Sequence, residues 1–105
     1  MERFDVSGVR ARMGEQPWLE FLRVPSMSAG LYRLPKGGED QQTPHREDEV
    51  YVILEGRATL EVDGERVAVG PDSVAFVEAH ADHRFVDIEK DLLALVVFAP
   101  AETEG

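Results

Sequence analysis

The chain has no cysteine, which removes disulfides, thiolate metal ligands and cysteine nucleophiles; any ion it holds is held by nitrogen and oxygen. Positive charge is scarce: 11 Lys and Arg stand against 21 Asp and Glu, for a formal net charge of −10. Such a surface repels phosphate backbones and anionic lipid and offers no basic patch for counterion release, so nucleic-acid and membrane-surface binding are not expected. Long apolar runs are missing as well. The longest, residues 92–100, falls far short of the ~20 residues that span a bilayer, and the amino terminus lacks a basic-then-apolar leader pattern. The expectation is a soluble cytoplasmic protein. No helical pattern is long enough to cover a sheet face. At 105 residues the chain makes one domain, able to bury roughly 65% of its unfolded surface and so to fold without a metal staple.

What the sequence does contain is a series of short apolar segments separated by turn residues. Residues 4–14 predict a short amphipathic helix, with Ser7 as N-cap, Val9 and Met13 four apart, and Gly14 as the stop. Residues 18–24 form a strand in which neither face is purely polar, and residues 29–34 a second one ended by Pro35. The loop that follows, KGGEDQQT, is a candidate lip. Residues 50–54 are β-branched and apolar and close on Glu55 and Gly56, read as a turn. A hairpin comes next, residues 57–62 returning as 66–69 through a type I′ turn at Asp63-Gly64. Strands at 73–77, 85–88 and 92–98 complete the series, with a break at Glu89, Lys90 and Asp91 and an acidic tail at 101–105 that is expected to fray. About eight short strands without a covering helix predict an all-β antiparallel sandwich or barrel.

Chemistry concentrates at two places. His45, Glu47 and Glu49 lead into the strand at 50–54, and on strand alternation they share one side. An imidazole and two carboxylates at the mouth of an apolar strand suit a divalent metal; the competing reading is a solvated strand edge. Residues four apart on a regular strand are roughly 13 Å apart. Either the chain bends between His45 and Glu49, or Glu47 supplies the carboxylate. The second place is the polar run EAHADHR at residues 78–84, where a turn separates His80 from His83. His80 suits a loop position beside a backbone group, and His83 a position facing a pocket.

With His45, Glu49 and Gly56 on one strand unit and His83 on another, the chain resembles a small single-domain cupin of the conserved-barrel type. Counting back from Gly56, Glu49 falls on the glutamate of that family's first motif, His45 on its second histidine, Thr43 on its first histidine and Gly37 on its leading glycine. Thr43 is a poor substitute for imidazole, so one ligand is missing. Of the second motif only the histidine is kept, as His83. The resemblance implies a single antiparallel jelly-roll barrel over residues 1–105, with its core at about 18–100, preceded by the short helix. It also implies a metal set of His45, Glu49 and His83 holding Fe, Mn, Ni or Zn, with Glu47 or His80 as the catalytic proton carrier. The ligand would be a small organic acid or carbonyl compound. A non-catalytic binding barrel and a structural barrel with a decayed site are the alternatives. The family likeness further suggests a homodimer, for which WLEFL at residues 18–22, apolar on both faces, is the candidate interface.

Overall fold

The computed structural model describes residues 1–103 and consists of one short helix and six strands: α1 (Val6–Met13), β1 (Trp18–Val24), β2 (Met27–Leu34), β3 (Asp48–Val62), β4 (Glu65–Val69), β5 (Val74–Val77) and β6 (His83–Ala99). All strand pairings are antiparallel, in the order β1-β2-β6-β3-β4, with β5 also paired to β3. The hydrogen-bonded path does not close on itself. The sheet curls into the expected all-β jelly roll around one core, built on Tyr51, Ile53, Leu60, Phe85, Val96 and Phe98.

Two of the expected breaks are not ends of strands. Gly56 and the Glu89-Lys90-Asp91 run carry the signals of a turn and an interruption, yet β3 and β6 run through them as strands of 15 and 17 residues. Their ladder is irregular at three steps between Ile53 and Thr59. The irregularity has a purpose that side-chain alternation makes visible. On β3 the inward residues are Glu49, Tyr51 and Ile53 before Gly56, and Ala58 and Leu60 after it. On β6 they are His83 and Phe85 before Asp87, which has φ of 49°, and Ile88, Leu92, Ala94 and Val96 after it. A bulge changes the parity of a strand. Both long strands change parity where they cross each other, so both halves of each keep an apolar face on the core. Gly56 sits at this crossing with φ of 95°, and a Cβ there would lie 2.2 Å from the Asp91 carbonyl oxygen; glycine alone fits.

The helix forms where expected, although Asp5 rather than Ser7 stands at its N-cap, without a side-chain cap bond. Val9 and Met13 bury against Leu31 and Leu93 on the outer face of the sheet, with Leu19, Phe21, Leu54 and Leu95 around them. The Asp63-Gly64 turn has both residues at positive φ, as a type I′ hairpin requires. The tail departs from expectation. Residues 101–103 are tied down: Ala101 N donates to the Pro25 carbonyl at 3.4 Å, Glu102 N to Ser28 Oγ at 2.9 Å, and Thr103 Oγ1 to Glu47 Oε2 at 2.8 Å. The last two residues of the expected tail lie outside the described residues.

Candidate metal centre

The curl of the sheet brings together residues that no ladder pairs. Glu49 lies near the start of β3, opposite Val77 and Phe98, whereas His83 opens β6 opposite Val62. Both point inward. His45 lies in the irregular segment before β3, which begins only at Asp48. The bend at Arg46 and Glu47 removes the 13 Å problem that a regular strand would pose, and strand alternation does not govern His45 or Glu47. Two backbone-directed bonds hold this bend against the 78–80 turn: His80 N donates to the His45 carbonyl at 2.7 Å, and Ala79 N to Asp48 Oδ1 at 2.9 Å.

His45, Glu49 and His83 each offer one ligand atom, and these three atoms lie within 4.8 Å of one another. Ligands about 2 Å from a common ion stand roughly 3–4 Å apart, a small side-chain adjustment away. Polar bonding in the cluster is incomplete. His83 Nδ1 lies 2.9 Å from the Ala81 carbonyl, which can only accept, so Nδ1 carries the proton and Nε2 of the neutral ring presents a lone pair. That Nε2 lies 2.9 Å from Glu49 Oε1, yet neither atom has a hydrogen-bond partner of acceptable geometry, and both are buried. Two acceptors in contact inside a protein demand a cation or a proton between them. The donor set, imidazole and carboxylate with no thiolate, fits a divalent ion of borderline hardness. Burial alone would lower the His83 pKa, but the Glu49 carboxylate, the Ala81 carbonyl and Asp40 outweigh it and leave it above the usual value.

A polar frame surrounds the cluster. Asp40, buried, accepts from Phe85 N at 2.8 Å, Gln42 Nε2 at 2.7 Å and the Tyr32 hydroxyl at 2.5 Å. With its amide oriented this way, Gln42 turns Oε1 to the Tyr51 hydroxyl at 3.1 Å and to His45 Nε2 at 3.2 Å. The other nitrogen of His45, Nδ1, faces Glu102 Oε2 at 3.3 Å. Burial and then the neighbouring carboxylates, Asp40 and Glu49, push the Tyr32 hydroxyl pKa far up; burial and then Glu49 do the same to Tyr51. Both phenols stay protonated. Glu102 is raised too, by burial and then by the charges of Glu47, Glu49 and Glu20.

Gln42, His45, Glu49, Tyr51 and Glu102 border a cavity of about 160 Å³, whose apolar wall is Trp18, Tyr32, Val96 and Phe98. Trp18 lies edge-on to Tyr32 and Phe98, at 6.4 and 6.2 Å between ring centroids. It reaches there because residue 30 is glycine: a Cβ at Gly30 would lie 2.4 Å from the indole.

The structure therefore brings His45, Glu49 and His83 together and leaves Glu47 and His80 outside the cluster. Glu47 is buried, but its Oε2 faces Thr103, and its Oε1 has no hydrogen-bond partner. His80 is exposed at φ of 69°, and its contribution is the backbone bond to His45. Thr43, on the missing motif histidine, is exposed, while its neighbour Gln42 turns inward. Gln42, Asp40 and Glu102 were not anticipated. Gln42 stands one position from a motif site, which is a usable signal; Glu102, in a segment read as fraying, has none.

A family model described as a cupin domain matches residues 30–98. The uncharacterized protein SCO3923 of Streptomyces coelicolor is 42% identical over 101 residues, spanning 96% of each chain. Among solved structures, TT1209 from Thermus thermophilus superposes with a TM-score of 0.77 at 28% identity, over 96% of this chain and 99% of that one. A Cupin 2 conserved barrel domain protein from Salinispora arenicola CNS-205 shares the fold with a TM-score of 0.74 at 19% identity, over 94% of this chain and 88% of that one.

Proposed function

The chain belongs to the cupin family, and from that premise we propose that it binds one divalent metal ion through His45, Glu49 and His83 and uses the site on a small organic acid or carbonyl compound. The observation that carries this reading is the buried contact between His83 Nε2 and Glu49 Oε1, two atoms with no hydrogen-bond partner that face each other at 2.9 Å. Fe, Mn, Ni and Zn all suit such a donor set, and availability decides among them. When bound, the ion supplies Lewis-acid polarisation of a ligand oxygen.

The chain's own residues do the rest. The Ala81 carbonyl fixes the His83 tautomer, leaving Nε2 free to coordinate. Gln42 and Glu102 hold the two nitrogens of His45 between them, so one of these contacts opens when His45 engages an ion. Trp18, Val96 and Phe98 keep water from one side of the cavity. Glu102, raised in pKa and beside His45, is better placed to carry a proton than Glu47 or His80.

Elemental analysis after gentle purification, followed by titration with Zn(II), Ni(II), Mn(II) and Fe(II), tests the reading. One equivalent of ion is expected, and His83→Ala is expected to lose it. Failure of every ion to load, or full loading of His83→Ala, rejects the assignment. Turnover on a panel of enolisable acids and carbonyl compounds then separates an enzyme from a binding protein. A homodimer belongs to the same reading, since β1 is an end strand of the sheet; sedimentation velocity at micromolar concentration reads it directly, and a monodisperse monomer counts against it.

A further inference from the structure

The cavity beside the cluster says more about its ligand than the ion does. Its volume, about 160 Å³, is close to the ~150 Å³ apolar cavity that admits benzene, so it accommodates one six-membered ring or a carbon frame of that size. The apolar wall of Trp18, Tyr32, Val96 and Phe98 presents aromatic edges and faces suited to such a frame. The polar groups are arranged with one bias. Both phenol hydroxyls are spent inside the frame, Tyr32 donating to Asp40 and Tyr51 to Gln42. What remains toward the cavity is the carboxylates of Glu49 and Glu102, while His45, also on its lining, has its ring nitrogens turned to Gln42 Oε1 and Glu102 Oε2. Neither lysine nor arginine lines it.

We propose that this cavity takes an uncharged, single-ring-sized molecule that brings its own hydrogen-bond donor to Glu102, and that it rejects free carboxylates. The inference rests on the cavity being the ligand site named above, and it narrows the two ligand classes of that reading to the neutral one. It does not depend on the ion. Like charges brought together cost enough to dominate discrimination between molecules of one shape, and benzoate and benzamide differ in little but charge.

Trp18 is the one tryptophan in the chain and lines the cavity, so its fluorescence reports occupancy locally. Phenol, benzamide, benzoate and 2-naphthol are titrated into the protein as isolated and again after chelator treatment, with calorimetry alongside. Phenol and benzamide are expected to bind in both states, benzoate at least about tenfold more weakly than benzamide, and 2-naphthol more weakly than phenol. Glu102→Gln is expected to bring benzoate closer to benzamide. Equal binding of benzoate and benzamide, absence of binding by both neutral single-ring probes, or binding of 2-naphthol as tight as that of phenol overturns the proposal. Failure of the metal assignment alone would leave the benzamide-to-benzoate gap in place, so the two readings fail separately.

Discussion

His83 and Glu49 show how much a single contact can constrain. Among the described residues, the side-chain atoms buried without a hydrogen-bond partner are His83 Nε2, Glu49 Oε1 and Glu47 Oε1, and the first two touch each other. A proton on Nε2 relieves their repulsion as a cation does, so the two compete. The His83 pKa is raised in the folded protein, with burial opposing and Glu49 favouring the charged ring. A raised histidine contributes stability that is complete below its unfolded value of about 6.5 and is lost as pH rises through the folded value. Chelated protein is therefore expected to lose stability to urea as pH climbs above about 6.5, while metal affinity rises over the same window because the ion no longer displaces a proton. Glu49→Gln is expected to flatten the stability slope. Calorimetric titration with Zn(II) also decides between the two carboxylates that the sequence left open. Glu49→Gln is expected to weaken binding by at least about 100-fold, the upper end for supporting groups and a lower bound for a ligand, whereas Glu47→Gln is expected to leave affinity little changed.

At the scale of elements, the segment after β6 and the crossing of β3 with β6 carry the site. Residues 101–103 place Glu102 against His45 by bonding to Ser28 and Glu47, partners 74 and 56 residues earlier in the chain. Deleting residues 101–105 leaves the buried Glu47 Oε2 without its Thr103 donors, which costs about 1–3 kcal/mol of stability by urea denaturation. It also removes the group beside His45 and is expected to weaken Zn(II) binding roughly 10–100-fold. Retained affinity would show that the segment is only a surface strap. Gly56→Ala tests the crossing: strained φ plus a Cβ 2.2 Å from the Asp91 carbonyl is expected to cost about 3 kcal/mol or more, read as a fall in the urea midpoint. These elements also mark what the sequence could and could not convey. Strand interiors such as residues 50–54 were legible because alternation and β-branching are local properties. His45, Glu49 and His83 were nominated by residue type and motif spacing, and the curl of the sheet brings them together. Gly56 and the 89–91 run misled because a parity-changing bulge uses the same residues as a turn. Glu102 was invisible, since nothing local distinguishes a docked acidic segment from a free one.

For the whole molecule the governing quantity is a net charge of −10, which works against compactness through self-repulsion. The fold concentrates that repulsion rather than spreading it: Glu47, Glu49 and Glu102 crowd one end of the jelly roll, and the Glu102 pKa is raised by burial first and then by these neighbouring charges. A bound divalent cation would offset the crowding at its densest point, so metal loading and thermal stability should be strongly linked. An ion at 100 times its dissociation constant stabilises the folded state by about 2.7 kcal/mol, and a domain near 100 residues gains about 4–8 °C per kcal/mol. The melting temperature is thus expected to rise by roughly 10–20 °C on saturation and to return on addition of chelator. Salt alone also stabilises an overcharged chain by screening, so the measurement needs His83→Ala in the same buffers. That variant keeps almost all of the protein's negative charge but lacks a ligand. If it gains as much as the wild type, the ion acts by screening and the site holds nothing; a gain confined to the wild type identifies binding at His83 as its source.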